Sequence, residues 1–202
     1  MLVRDVMSCP VVTVEPHTPV RAAATLLAVR GFTALPVIDG EGELVGIVTE
    51  ADLLRDRVRH DARSPLFGVE LAAGPPPSSV ADVMTVDVVT VQPSSDVADL
   101  VERMRVRGIR SAPVVGAAEE LVGIVSRRDV LQTVTRTDAE IAVDVRRRLE
   151  NYAGPGRWDV TVQSGTVTLG DPFGDEAEQH TAAVIAAAAR GVVDVRVANR
   201  VE

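Results

Sequence analysis

Short β-branched runs alternate with longer stretches of helical apolar spacing along the 202 residues of this chain. The first run, VVTV at 11–14, stops at the turn-forming EPHTP, and its branching predicts a short strand. VRAAATLLAVRG (20–31) spaces its apolar residues three and four apart and closes on Gly31, the residue type suited to a left-handed helix cap. ALPVID (34–39) and LVGIV (44–48) read as two further strands, and TEADLLRDRV (49–58) opens a helix. The product is a β-α-β-β-α unit about 55 residues long.

The same series then recurs. Sliding the chain on itself by 77 residues aligns Val3–Asp56 with Val80–Thr133 without a gap, and 23 of the 54 pairs are identical. VVTV returns at 88–91, the helix as VADLVERMRVRG (97–108), the strands as SAPVV (111–115) and LVGIV (121–125), and the last helix as SRRDVLQTVT (126–135). Met7 falls on Met84, Pro36 on Pro113, Gly46 on Gly123 and Asp52 on Asp129. Duplication at this level predicts two copies of one supersecondary unit packed about a pseudo-twofold axis. Residues 59–79, which carry the triple proline Pro75–Pro77, read as an extended linker whose apolar piece PLFGVEL packs on the surface.

Beyond residue 137 the period fails and the pattern changes. DAEIAVDVRRRLENY carries Ile141, Val145 and Leu149 on one helical stripe, with Arg146–Arg148 beside it as a solvated face. WDVTVQSGTVTLGD alternates on both sides of QSG, a hairpin signal; an Ala-rich helix ends at Gly191, and VVDVRVANRV is a last strand. The order is αββαβ, and the whole chain reads as α+β.

Composition narrows the setting. Aromatic residues are 2% of the chain, so its cores must be built from Val, Ala, Leu and Ile. A formal charge of -8 argues against a nucleic-acid backbone or an anionic membrane as main partner, since both require clustered positive charge. Cys9 is the single cysteine, which excludes an internal disulfide; it reads as a small buried or half-buried residue. No apolar run approaches the ~18 residues of a membrane span, and MLVRDVMSCPVV lacks the apolar centre of a signal peptide, so the expected location is cytoplasmic. His17, His60 and His180 are scattered without ligand spacing, and neither phosphate-loop glycine motif occurs. Neither an enzyme nor a metal site is expected.

Three markers carry a family resemblance: the DVM opening, the LPV or APV strand, and glycine, two apolar residues, Thr or Ser, two residues, Asp. Together they make residues 1–58 and 80–136 resemble a tandem pair of cystathionine-β-synthase (CBS) domains, a Bateman module. The resemblance implies sheet-to-sheet packing of the repeats and two symmetry-related clefts that commonly hold adenine nucleotides. It also implies a disc-like homodimer.

Thr49 with Asp52, and Ser126 with Asp129, admit two readings. A hydroxyl followed three residues later by an acid at a helix start is a capping pattern. The same geometry offers helix N–H groups to a phosphate and a carboxylate to the ribose hydroxyls. By the resemblance, cleft A uses Val12, Phe32, Thr33, Ala34, Arg110, Ser126 and Asp129, with Arg127 and Arg128 beside the hydroxyl residue. Cleft B uses Val89, Ile109, Arg110, Ser111, Thr33, Thr49 and Asp52. Cleft A is the more basic, because cleft B has Glu50 and Ala51 where cleft A has the two arginines, so AMP, ADP or ATP is expected to bind cleft A more tightly.

Residues 137–202, with GTVTL before the second helix and RGVVDV after it, resemble a BON domain, which implies a module that binds phospholipid surfaces or other partners; with no export signal in the sequence, an interaction module for a protein or apolar ligand is expected rather than a lipid or membrane contact. Two functions follow. One is a regulatory sensor of an adenine nucleotide, with S-adenosylmethionine as the other adenosine ligand the family admits and no catalytic cofactor. The other is a nucleotide-independent dimeric scaffold that recruits a protein or lipid partner, with Thr49 and Ser126 acting as caps.

Overall fold

The computed structural model describes residues 1–55, 76–171 and 176–199. Most of the expected linker and its PLFGVEL segment, together with Pro172 in the loop before the last helix, lie outside the described residues. By compactness the chain divides into two units: Met7–Pro93 with Arg103–Ser126, here the repeat unit, and Met1–Val6 with Ser94–Glu102 and Arg127–Glu202, here the carboxy-terminal unit.

The repeat unit contains α1 (Val20–Arg30), β1 (Ala34–Ile38), β2 (Leu44–Thr49) and α2 (Glu50–Leu54). It also holds a 3-10 turn at Val80–Asp82, the end of α3 (Val97–Val106), β3 (Ser111–Val115) and β4 (Leu121–Ser126). β1 pairs antiparallel with β2, and β3 with β4, each with one register shift near its end. Gly31 closes α1 at φ 65°, in the left-handed region where lack of a Cβ costs nothing.

The expected first strands are not strands. VVTV contributes one parallel bridge in each repeat, Val14 to Val37 and Val91 to Val114. The reason is proline placement. Val14 N–H donates to Pro36 O and Ile38 N–H to Val14 O; the next rungs on either side would need amide donors at residues 16 and 36, both prolines. The second repeat has the same block at Pro93 and Pro113.

Reciprocal contacts between the repeats express the duplication. Ile47 bridges Thr85, and 77 residues on, Ile124 bridges Ser8. Gly46 and Gly123 follow the same exchange: a Cβ on Gly46 would lie 2.8 Å from Met84 Sδ, and one on Gly123 would lie 2.6 Å from Met7 Sδ. The methionine of each DVM therefore packs on the glycine of the other repeat's strand. When residue i meets j and j's copy meets i's copy, the two copies are related by a pseudo-twofold. Val14, Val20, Leu27, Leu35, Val37, Val48 and Leu53 form a core cluster with Val80 and Val83 from the second repeat. Cys9, expected to be buried or half-buried, is exposed; as at its counterpart Val86, 71% exposed, no strand ladder forms there to cover it.

The carboxy-terminal unit contains a 3-10 turn at Val3–Asp5, the start of α3, α4 (Arg127–Val134), α5 (Asp138–Ala153), β5 (Asp159–Gln163), β6 (Thr166–Asp171), α6 (Glu176–Ala187) and β7 (Asp194–Asn199). From residue 138 on, the order is the expected αββαβ. The sheet order is β5-β6-β7, antiparallel then parallel. Ile141, Val145 and Leu149 on α5 pack with Val160, Val167, Leu169, Ala182 and Ala186. The β5–β6 turn at Ser164 and Gly165 has positive φ at both residues, and Asp138 at the start of α5 accepts hydrogen bonds from both amides at 2.8 and 2.9 Å. Arg146 and Arg147 are exposed, as expected of a solvated face, and Arg148 is half-buried; Arg146 donates to Val160 O at 2.7 Å, and Arg147 and Arg148 turn to Asp144. Among the described residues no helix is long and apolar enough to cross a membrane.

Candidate functional site

Inside the repeat unit, a cavity of roughly 400 Å³ opens where β2 runs into α2. It is lined by Thr33, Thr49, Asp52, Val89, Ile109, Arg110 and Ser111, the seven residues expected for cleft B. They converge because β1 and β2 pair with Ala34 opposite Thr49, β3 and β4 pair with Ser111 opposite Ser126, and Thr33 Oγ1 meets Ser111 Oγ at 3.1 Å.

The Thr49–Asp52 pair is a capping box. Thr49 donates its N–H at 3.0 Å and its hydroxyl at 2.7 Å to Asp52 Oδ2, while Asp52 N–H makes a long 3.4 Å bond to Thr49 Oγ1. Among the described residues, Asp52 Oδ1 is held only by Arg55 Nη2 at 3.4 Å, from a side chain that is 66% exposed. One oxygen is thus committed to the cap and the other retains accepting capacity, though Asp52 as a residue is only 8% exposed. These bonds are those of the capping reading, and they leave one carboxylate oxygen with room to accept a further hydrogen bond.

The cavity's charges come from Glu50, Asp52, Asp87 and Arg110. Asp87 went unnoticed in the sequence, although it stands beside the expected cleft residue Val89; its counterpart in the first repeat is Pro10, so the clefts differ at this position too. Ile47, Thr85, Val88 and Gly108 complete the wall together with Glu50 and Ala51. Arg110 is exposed and makes no ion pair among the described residues.

The residues expected for cleft A are distributed differently. Val12 and Phe32 pack as half-buried side chains against the core of the repeat unit, and Ala34 is buried on β1. Thr33 and Arg110 line the cleft B cavity. Ser126 ends β4 in the repeat unit, whereas Arg127 and Arg128, both exposed, and Asp129 start α4 in the carboxy-terminal unit. Asp129 there lines a cavity with Gln132 and Thr133.

A family model described as the CBS domain matches residues 3–59 and 80–136, more than half of the chain. The chain belongs to the CBS-domain family. This CBS pair is 32% identical over 163 residues to an inosine-5'-monophosphate dehydrogenase of Thermoplasma acidophilum, covering 81% of this chain and 29% of that enzyme. It is 28% identical to an uncharacterised protein of Methanocaldococcus jannaschii over 66% of this chain and 91% of the relative. The chain therefore spans less than a third of the length of the dehydrogenase it matches. Among solved structures, the CBS domain pair of protein MJ0100, in complex with 5'-methylthioadenosine and S-adenosyl-L-methionine, superposes with a TM-score of 0.54 at 26% identity, over 65% of this chain and 94% of that one. CBSX2 in complex with AMP does so with a TM-score of 0.51 at 30% identity, over 65% of this chain and 93% of that one.

Proposed function

We propose that this CBS pair is a regulatory ligand-binding protein whose cleft B takes an adenosine-based molecule carrying no more than one phosphate. The observation that carries the reading is the convergence of Thr33, Thr49, Asp52, Val89, Ile109, Arg110 and Ser111 on one cavity. The adenosine class is supported by the ligands of the two similar structures, AMP in one and methylthioadenosine with S-adenosylmethionine in the other. Asp52 Oδ1 accepts from the ribose diol, Val89 and Ile109 flank the base, and Arg110, the one cation among the described residues lining this cavity, meets the 5' end. The charge balance sets the limit on phosphates. Glu50, Asp52 and Asp87 against Arg110 leave the cavity acidic, so each added phosphate meets net repulsion. AMP, methylthioadenosine and S-adenosylmethionine fit this balance better than ADP or ATP.

The more basic set Arg127, Arg128 and Asp129 at the start of α4 is the proposed holder of the polyphosphate forms expected for cleft A. Ligand binding regulates because it favours one arrangement of the pair over another, which requires different affinities for the two. Residues 137–202 act as a BON-like interaction module for a partner, in a cytoplasmic homodimer.

The test is calorimetric titration of methylthioadenosine and AMP into the wild type, Asp52→Ala and Arg110→Gln. Loss of Asp52 is expected to weaken both ligands about tenfold or more, since a hydrogen bond to a charged group contributes roughly 1.5–3 kcal/mol. Arg110→Gln should weaken AMP and leave the uncharged methylthioadenosine unchanged. The complete capping box favours a second reading, a ligand-independent scaffold; absence of binding by any adenosine compound would establish that reading in place of the first.

A further inference from the structure

The carboxy-terminal unit holds a second cavity, of roughly 530 Å³, with a character opposite to cleft B. Four arginines line it: Arg136 just after α4, Arg147 and Arg148 on α5, and Arg190 after α6. Among the described residues two carboxylates face them, Asp129 and Asp144, so the described lining carries two positive charges in excess within a chain of net charge -8. Three of the arginines share one nearly buried acid. Arg147 Nη2 lies 2.7 Å from Asp144 Oδ1, and Arg136 Nη1 and Arg148 Nε each lie 3.4 Å from Asp144 Oδ2. Arg148 Nε is buried and makes no hydrogen bond, and Arg190 has no ion pair among the described residues.

The arrangement is fixed by backbone rather than by the charges alone. Arg136 also donates to Arg190 O at 3.0 Å and to Glu140 O at 3.2 Å, tying the end of α4 to α5 and to the turn after α6. Gly191, at φ 87°, sits so close to that end that a Cβ would lie 2.9 Å from Thr133 O. Guanidinium groups held apart by such contacts present donors that match the oxygens of phosphate.

From these observations we infer that this cavity is a binding site for a small phosphorylated polar molecule, independent of the adenosine cleft. Two excess charges match a phosphate monoester dianion. The volume leaves room for a body beyond the phosphate, and among the described residues Val6 is the single apolar one in the lining, which favours a hydroxylated body such as a sugar over a base or an acyl chain.

Inorganic pyrophosphate titrated calorimetrically into the full chain provides the test, with chloride at matched ionic strength as control. Saturable binding is expected, weakened at least tenfold in Arg190→Gln and in Arg147→Gln and unchanged in Asp52→Ala. Arg190 is exposed and has no ion pair among the described residues, so Arg190→Gln should keep the wild-type Tm and decides the test; Arg147→Gln also removes the 2.7 Å pair to Asp144, so its Tm should fall and its binding is read only where it remains folded. Absent binding, binding unaffected by the arginine changes, or binding lost in Asp52→Ala would overturn the site. So would cosedimentation with phosphatidic acid vesicles without any response to pyrophosphate, since that would make the ligand a lipid surface.

Discussion

Met7 and Met84 each press a sulfur against a glycine of the opposite repeat, and this contact makes a prediction sharper than a general core argument. Gly46→Ala must displace Met84, with Thr85 O also at 3.2 Å, and is expected to cost about 1–3 kcal/mol in urea denaturation. Because the obstacle is the methionine, Gly46→Ala combined with Met84→Ala should be less destabilised than the two single changes added together. The aspartate of DVM has its own task. Asp82 Oδ2 accepts from the N–H groups of Ser79 and Ser78 at 2.9 Å each, and from the Ser78 hydroxyl. The Ser79 amide first, then that of Ser78, holds its pKa at about 2, below the ordinary 3.8. A carboxylate depressed in the folded state contributes stability that is complete above its unfolded pKa and is lost as pH falls. Denaturant midpoints should therefore fall between about pH 3.8 and 2, and Asp82→Asn should flatten that part of the profile. Asp144 adds in the same direction: burial raises its pKa, but Arg147, Arg148 and Arg136 outweigh burial and leave it lowered.

At the scale of elements, helix starts are set by side chains that the sequence displays. Thr137 accepts from the Glu140 amide at 3.3 Å, and Glu140 Oε2 accepts from the Thr137 amide at 2.8 Å, a reciprocal cap on α5. Thr137→Ala is expected to cost about 1 kcal/mol, measured by thermal or urea unfolding. Most elements were legible because each has a local cause, such as the glycine after α1 or the Ser-Gly turn between β5 and β6. The misread strand at 11–14 shows what was not. Its β-branched pattern is genuine, but a ladder also needs donors on the partner strand, and Pro36 with Pro16 removes two of them. Pairing is a long-range fact, and no local period reveals it. Asp87 was missed for the same reason: nothing in its own neighbours shows that the second repeat's loop faces the Thr49–Asp52 corner.

For the molecule as a whole, duplication made the cleft readable, since a repeat that packs on its copy must form two related corners. What duplication could not foretell is how differently the copies' surroundings have diverged. The corner holding Asp52 carries Glu50 and Asp87, whereas Asp129, at the matching position, lines a cavity with four arginines. The measurement that tests the account most directly is amide chemical-shift mapping of the full chain on addition of methylthioadenosine. Shifts centred on Thr33, Thr49, Asp52, Val89, Ile109 and Ser111 are predicted, with the amides of Arg147, Arg148 and Arg190 unmoved. Saturating ligand that leaves the cleft B amides where they were, or moves only those of the arginine cavity, would contradict it.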